Sequence, residues 1–188
     1  VCHRFGEPLS VEDVLLRDAG HGEVQVTLEA SAICHSDISY IDGGWGGTLP
    51  AVYGHEAAGH VTAVGDGVRG VAIGDPVVVT LIRACGSCPS CAGGKPVACE
   101  SDLASGPLTD AEGNPLHQAM NTGGFAEKVV VDQSQVVKLS ESIGMEAASL
   151  LACGVITGVG AVVNAAGLRA GQDVVVIGAG GVGLNAIQ

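Results

Sequence analysis

The sequence predicts a mixed α/β protein in which a β-rich unit is followed by the beginning of an α/β unit. Residues 23–30 (EVQVTLEA) alternate polar and apolar side chains, with the period of two expected of a half-buried strand. The pattern changes after Ser140, where apolar helical segments lead to the continuous apolar run 172–177 (QDVVVI). Such a run is typical of a buried parallel strand. A glycine-rich turn and a helix start follow it, as at the opening of an α/β domain.

The remaining elements follow from periodicity and from turn residues. Strands are predicted at 57–64, 77–80, 125–131 and 136–139, with Gly- and Asp-containing turns between them. Helices are predicted at 145–152 and 155–166, and a further helix through Gln188. Segments 83–101 and 106–124 lack helical periodicity and are predicted to be loops. Loops of this length are usually functional or are held by a bound group.

Composition limits the classes of function. Of 188 residues, 47% are hydrophobic and 15% are charged, which indicates a globular chain. The net charge of −12 argues against nucleic acid or an anionic membrane surface as a partner, because both require a basic face. Apolar runs are too short for a membrane span, and the first residues do not resemble a secretory signal. We therefore expect a cytoplasmic protein in which the clustered members of its seven cysteines bind metal rather than form disulfides, while Cys2 suits a buried, inert thiol.

The clearest motif is a run of four cysteines, Cys85, Cys88, Cys91 and Cys99. Four thiolates in one short loop can surround a tetrahedral zinc ion. A site with four protein ligands has no open position, so it would be structural rather than catalytic. An iron–sulfur cluster is the alternative metal group, and chance clustering of inert thiols is the alternative without metal.

A second set of potential ligands is dispersed along the chain: Cys34, His55 and Cys153. Two cysteines and one histidine form the three-ligand set of a catalytic zinc that keeps a fourth position open. Each residue alone is weak evidence. His55 could be an ordinary core histidine, and Cys153 could be a small buried hydrophobic residue.

Taken together, five motifs resemble the medium-chain zinc-dependent alcohol dehydrogenase family, in its order and spacing. They are Cys34-His-Ser-Asp, Gly54-His-Glu, the four-cysteine run, Cys153-Gly-Val and the glycine-rich turn. The resemblance covers essentially the whole chain. It implies a GroES-like, β-rich catalytic domain over residues 1–153 and the start of a truncated Rossmann domain over residues 154–188.

The resemblance also implies a role for each site residue. It implies two zinc ions per chain: a catalytic ion on Cys34, His55 and Cys153, and a structural ion on the four-cysteine run. Ser36 would take the proton of the substrate hydroxyl, Asp37 would fix the His55 tautomer, Glu56 would lie near the metal, and His35 would lie near the cofactor pyrophosphate. The implied reaction transfers hydride between an alcohol or aldehyde and a nicotinamide cofactor.

The glycine-rich turn is the expected cofactor site. Gly178, Gly180, Gly181, Val182 and Gly183 follow a predicted strand and open a predicted helix, which is the context of a dinucleotide fingerprint. The acidic residue that separates NAD from NADP falls about 20 residues further on. Because the sequence stops at Gln188, either cofactor fits the sequence, and we expect no turnover from these 188 residues alone.

The loops most resemble the class III, glutathione-dependent formaldehyde dehydrogenase branch, with three departures. Trp45 and Leu103 replace an aspartate and an arginine that hold the glutathione adduct, and Ser39 replaces a proton-relaying histidine. These departures favour an ordinary alcohol, an aldehyde or a different thiol adduct. A zinc-stabilised relative without catalysis is the alternative function. A nucleic-acid-binding zinc module is disfavoured by charge, and the family implies a homodimer or homotetramer.

Overall fold

A computed structural model describes residues 1–101 and 106–188. Its strands are β1 (Leu15–Leu16), β2 (Glu23–Ala32), β3 (Ala51–Val52), β4 (Glu56–Val64), β5 (Pro76–Thr80), β6 (Leu108–Thr109), β7 (Pro115–Gln118), β8 (Lys128–Asp132) and β9 (Val136–Lys138). They form a five-stranded sheet in the order β8-β2-β4-β5-β9 and a four-stranded sheet in the order β1-β6-β7-β3.

The five-stranded sheet is antiparallel throughout and carries the main core. Alternate residues of β2, such as Val24 and Val26, are completely buried, as the period-two pattern predicts. Valines supply most of this core, which joins Val24, Val26, Ala57, Val61, Val77, Val79, Val129, Val131 and Val136. Because β-branched side chains pack well on a pleated surface, a chain with few aromatic residues can still build this sheet.

The four-stranded sheet is made of short strands and includes one parallel pair, β3 with β7. Its residues build two smaller clusters, one around Cys2, Ala51 and Tyr53 and the other around Val52, Leu108 and Leu116. The chain between β3 and β4 therefore leaves one sheet and enters the other. His55 lies in this connection.

Five α-helices connect or follow the strands: α1 (His35–Ile41), α2 (Pro89–Ala92), α3 (Met145–Ser149), α4 (Gly154–Gly160) and α5 (Gly181–Ile187). A 3₁₀ turn over Leu150–Ala152 joins α3 to α4, and a π-helical turn over Ala161–Ala165 extends α4. Helix α5 packs on α4 through Gly158, where a Cβ would lie 2.5 Å from the carbonyl oxygen of Val182. The absence of that side chain permits the close approach.

The predicted fold class is confirmed, and all five strands predicted in the β-rich unit are present, with small shifts at their ends. The strand predicted at 172–177 is wrong for the described residues. No described strand pairs with that run, and Ile177 is 96% exposed. A parallel strand needs hydrogen-bonded neighbours, so apolar composition alone does not create one.

The predicted loops contain more regular structure than expected. Segment 83–101 holds α2, and segment 106–124 holds β6 and β7. Helix α1 and the two-residue strands β1 and β3 were also missed, because elements this short leave little periodicity in the sequence. The departure at Leu103 lies outside the described residues.

Across the described residues, no single helix is long and apolar enough to cross a membrane. One pair of helical segments, Met145–Ala152 and Gly154–Ala165, meets the length and composition criteria only when combined, and the two are bent by 48°.

Candidate metal centres

Four potential ligands from three distant parts of the sequence meet at one place. Ligand atoms of Cys34, His55, Glu56 and Cys153 all lie within 4.8 Å of one another. Cys34 directly precedes α1, His55 and Glu56 stand at the entry to β4, and Cys153 stands at the bend between the 3₁₀ turn and α4. His55 and Glu56 are buried, and the two cysteines are half-buried. The structure thus brings together the three dispersed ligands predicted from sequence and places Glu56 beside them, where the resemblance also implied it.

Asp37 lies behind the histidine of this cluster and is completely buried. One carboxylate oxygen accepts the Nδ1–H of His55 at 3.0 Å and the backbone N–H of Gly54 at 3.1 Å. The other accepts the backbone N–H of Cys34 at 3.0 Å. When the His55 ring is neutral, the bond to Asp37 keeps the proton on Nδ1 and leaves the Nε2 lone pair toward the cluster. A carboxylate bonded to a histidine in this way is the usual partner of a metal-binding imidazole.

The same carboxylate explains why α1 begins where it does. Asp37 is the third residue of the helix, and its bond to the Cys34 N–H satisfies a backbone donor at the helix start, as in a capping box. The Asp37 carboxylate therefore holds both the start of α1 and the His55 ring. This arrangement fixes Cys34 and His55 relative to each other.

Gly54 is required by the turn that delivers His55. Its φ is +94°, a region that residues with a side chain rarely adopt. A Cβ on this residue would also lie 2.5 Å from the backbone nitrogen of Phe125, which itself donates to the Tyr53 carbonyl. Glycine therefore allows two chain segments to meet directly beside the ligand.

The protonation of the cluster is set by its own contacts. Burial by itself would lower the pKa of His55, but hydrogen bonds to Asp37 and Cys153 outweigh it and raise the pKa to about 10. The bond to His55 in turn lowers the pKa of the Cys153 thiol, against burial. The site therefore stabilises positive charge next to a thiolate. A divalent cation would satisfy the same groups, because metal binding displaces protons from histidine and cysteine.

The second cluster is the four-cysteine loop. The sulfurs of Cys85, Cys88, Cys91 and Cys99 lie within 4.8 Å of one another, and all are half-buried. Four sulfurs about 2.3 Å from a single tetrahedral ion would stand roughly 3.8 Å apart, so this spacing suits one ion better than a cluster of several irons. The loop has almost no apolar core of its own, because no residue from 85 to 100 is fully buried.

Backbone N–H groups point at the sulfurs of this loop. Cys88 N lies 3.3 Å from Cys85 Sγ, Cys91 N lies 3.4 Å from Cys88 Sγ, and Cys85 N lies 3.3 Å from Cys99 Sγ. Backbone N–H donation, chiefly from Ser87 and Cys88, lowers the pKa of Cys85 to about 5. Donation from Ser101 first and then from Cys85 lowers the pKa of Cys99. Donors that stabilise thiolate fit a metal, which binds the deprotonated form.

The remaining predicted site residues lie near the clusters but make fewer contacts. Ser36 is half-buried in the first turn of α1, and its hydroxyl bonds to none of the described residues. His35 opens the same helix and is exposed. Ser39 is half-buried on α1, and Trp45 is 59% exposed with its ring edge-on to Tyr40 at 5.1 Å.

The glycine-rich turn has the predicted position at a helix start, although no described strand directly precedes it. Gly180 caps α5, which begins at Gly181, and Gly178 has a φ of +105°. A Cβ on Gly183 would lie 2.0 Å from the carbonyl oxygen of Gly178, so the first turn of α5 folds back closely over the chain before it. Val182 lies in this first turn. This close return is the packing that the last glycine of a dinucleotide fingerprint permits.

Sequence reasoning missed two polar residues beside the dispersed cluster. Gln135 is 1% exposed, and its amide donates at 2.9 Å to the carbonyls of Thr80 and Asn121. Thr80 donates its hydroxyl to the carbonyl of Ala152, directly before Cys153, at 3.1 Å. No motif marks either residue, since polar residues at strand ends are ordinary. Only the folded structure identifies them.

A comparison with known protein families shows which family the chain belongs to. The model described as "Alcohol dehydrogenase GroES-like domain" matches residues 20–141. The chain belongs to this family. The matched region contains the whole four-cysteine loop and, of the dispersed cluster, Cys34, His55 and Glu56, whereas Cys153 lies beyond it.

Individual alcohol dehydrogenases are similar to this chain in sequence and in structure. Alcohol dehydrogenase B of Mycobacterium tuberculosis is 40% identical across 98% of this chain and 52% of its own length. The NDMA-dependent alcohol dehydrogenase of Amycolatopsis methanolica is 38% identical across 100% of this chain and 53% of its own length. A crystal structure of an alcohol dehydrogenase zinc-binding domain protein from Burkholderia ambifaria superimposes with a TM-score of 0.91 at 36% identity, over 99% of this chain and 53% of that one. The chain thus spans about half the length of the relatives it matches.

Proposed function

We propose that the protein carrying this chain is a zinc-dependent oxidoreductase that moves a hydride between an alcohol or aldehyde and NAD or NADP. The observation that carries the proposal is the convergence of Cys34, His55 and Cys153 in front of the buried Asp37. Two thiolates and one imidazole are the donor set of a catalytic zinc with an open position. A zinc ion held there would act as a Lewis acid on the substrate oxygen.

The other residues of the site have separate proposed tasks. Ser36 stands two residues from Cys34 with its hydroxyl uncommitted among the described residues, and we assign it the proton of the substrate hydroxyl. Asp37 holds the His55 ring and its tautomer through the 3.0 Å bond. Glu56 Oε1 lies 4.0 Å from His55 Nε2, close enough to enter the ligand shell for a time.

The four-cysteine loop has a structural task in this proposal. Cys85, Cys88, Cys91 and Cys99 would hold a second zinc, giving two ions per chain. Because the loop lacks a core, the ion would provide much of its folding energy. We assign zinc rather than an iron–sulfur group because the sulfurs are spaced for one ion.

Cofactor binding is proposed for the second unit, residues 154–188, with 1–153 as the catalytic domain. The turn from Gly178 to Gly183 would approach the pyrophosphate, with the exposed His35 facing it from the catalytic domain. Nicotinamide chemistry supplies the hydride acceptor or donor. The chain contains nothing that selects NAD over NADP.

The substrate is proposed to be an alcohol or aldehyde, or a thiol adduct other than that of glutathione. Trp45 presents an exposed aromatic face where the class III branch has a carboxylate, and an indole cannot hold a cationic amine by charge pairing.

We further propose a homodimer or homotetramer. A cytoplasmic location is proposed because all seven cysteines are free thiols, which reducing compartments favour.

Elemental analysis of the purified full-length protein that carries this chain tests the proposal first. We expect two zinc ions per chain, and Cys34→Ala should remove one of them and abolish alcohol oxidation, followed by reduced-nicotinamide absorbance. Cys2→Ala is the matched control, since Cys2 is the cysteine outside both clusters. If the unmodified protein holds two zincs but Cys34→Ala retains full turnover, the catalytic assignment is wrong. If the unmodified protein shows no turnover and Cys34→Ala releases no zinc, the protein is a zinc-stabilised relative without catalysis.

A further inference from the structure

The position of Cys153 depends on a bend in the backbone. Cys153 ends the 3₁₀ turn Leu150–Ala152 and precedes α4, with φ −141° and ψ −64°. No side-chain capping bond stabilises this bend. The direction of its Cα–Cβ bond, and so the place of its sulfur, is therefore set by whatever holds the peptide groups on either side.

The peptide group before Cys153 is held by Thr80, the last residue of β5. Thr80 Oγ1 donates to the carbonyl oxygen of Ala152 at 3.1 Å, across 72 residues of sequence. Ala152 is 2% exposed, so water is a poor substitute for this donor. The bond joins the end of β5, an inner strand of the five-stranded sheet, to the residue adjoining the ligand.

The peptide group after Cys153 faces Glu56 in the same way. Glu56 Oε2 lies 3.5 Å from the backbone nitrogen of Gly154, and Glu56 pairs directly with Thr80 in the register of β4 and β5. Two opposed residues of neighbouring strands thus contact the chain on both sides of Cys153. The Thr80 bond is the shorter of the two.

Thr80 is itself held in place. The amide of the buried Gln135 donates to the Thr80 carbonyl at 2.9 Å, and its oxygen accepts the backbone N–H of Asp132 at 3.3 Å. The bond connects Thr80 to the turn between β8 and β9, so the hydroxyl is presented from a rigid support.

We propose that Thr80 is a positioning residue for the three-ligand metal site, where its hydroxyl fixes the Ala152 carbonyl and thereby places the Cys153 sulfur beside His55. The inference rests on the proposed function, because it takes Cys153 as a ligand. Thr80 lies outside all the ligand motifs of the sequence, so the motifs alone do not indicate this role. Ligands must be held within a few tenths of an ångström, so a lost support weakens binding even when every ligand remains.

Thr80→Val tests the proposal, because valine keeps the shape and the strand preference of threonine and removes only the hydroxyl. Thr80→Ser is the matched control, since it keeps the hydroxyl. In chelator competition at neutral pH, Thr80→Val should raise the dissociation constant for zinc at the three-ligand site roughly ten- to a hundredfold, while Thr80→Ser stays near the parent. The four-cysteine loop is an internal control, and its zinc affinity should not change in either variant.

The visible spectrum of bound cobalt(II) reports on the geometry of the three ligands. It should stay unchanged in Thr80→Val if Thr80 has a purely structural role. Cobalt in the three-ligand site should show altered visible bands in Thr80→Val and parent-like bands in Thr80→Ser. If Thr80→Val lowers only the thermal midpoint, with parent zinc affinity and parent cobalt bands, Thr80 merely stabilises the fold and the inference is overturned. If the parent itself binds no second zinc, the proposed function fails as well, so the two failures are distinguishable.

Discussion

Asp37 and His55 form a completely buried pair in which the carboxylate accepts the ring N–H at 3.0 Å. The same carboxylate takes two backbone donors, from Cys34 and Gly54. One side chain therefore sets the ring orientation, the tautomer and the start of α1.

Replacing Asp37 with asparagine should weaken metal binding without removing any ligand. Asparagine keeps an acceptor oxygen but loses the charge that supports the His55 N–H. We expect zinc affinity at the three-ligand site to fall about 10- to 100-fold, measured by chelator competition. Asp42→Asn, at the exposed end of α1, is the control and should leave affinity unchanged. Equal affinities in the two variants would contradict this reading of Asp37.

The turn before His55 should tolerate no side chain. Gly54→Ala adds a Cβ 2.5 Å from Phe125 N at a φ of +94°. Gly70→Ala places alanine at a similar φ of +87° with nothing within 4 Å, so it isolates the backbone cost. Gly70→Ala should cost about 1 kcal/mol of unfolding free energy, and Gly54→Ala about 3 kcal/mol or more. Chemical denaturation measures both, and equal losses would mean that the Phe125 segment simply moves aside.

The four-cysteine loop should lose order when its metal site is damaged. Cys88→Ser is expected to release one zinc per chain and to expose the region from Arg83 to Ser101 to limited proteolysis, because the loop lacks a core. Val97→Ala shortens an exposed side chain of the same loop and should keep both the zinc and the protease resistance. Cleavage at the same rate in both variants would show that the loop folds without metal.

Acid should weaken the ion pair between Arg17 and Glu23. Hydrogen bonding to Arg17, and then to the Gly20 N–H, lowers the pKa of Glu23 below its usual 4.5. The stabilisation is therefore complete above pH 4.5 and is lost as the pH falls through the lowered folded-state pKa. Glu23→Gln should cost about 0.5–1 kcal/mol at neutral pH and much less in strong acid.

A double-mutant cycle with Arg17→Gln checks the source of this effect. The guanidinium approaches the carboxylate through both terminal nitrogens, with Arg17 Nη2 2.7 Å from Glu23 Oε1. The coupling measured by unfolding should vanish in strong acid. A coupling independent of pH would place the stabilisation in packing rather than in charge.

The sequence predicted the site better than the details of the fold. The spacing of four cysteines indicated the four-cysteine loop by itself, whereas Cys34, His55 and Cys153 were joined into one site by the family resemblance. Strands longer than four residues could also be predicted, because their alternation is a strong signal. Such strands include β2 and β4.

What could not be predicted depends on contacts between distant residues. Thr80 and Gln135 act through hydrogen bonds to backbone carbonyls far along the chain. Every residue has a backbone carbonyl, so no local sequence pattern shows which of them accepts such a bond. The two-residue strands exist only because a neighbour pairs with them. The apolar run at 172–177 shows the converse, since it has strand composition and no described partner.

The two clusters differ in how much of the chain must be in place before a metal can be held. Cys85 and Cys99 are 14 residues apart and meet within one loop, whereas the contact between Glu56 and Gly154 spans 98 residues. During synthesis, a nascent chain can complete the first site soon after the loop leaves the ribosome. The second must wait until Cys153 has emerged and α3, with the 3₁₀ turn that follows it, has docked on the sheet. If both clusters bind zinc as proposed, the connectivity of the chain would let the four-cysteine site fill before the dispersed one.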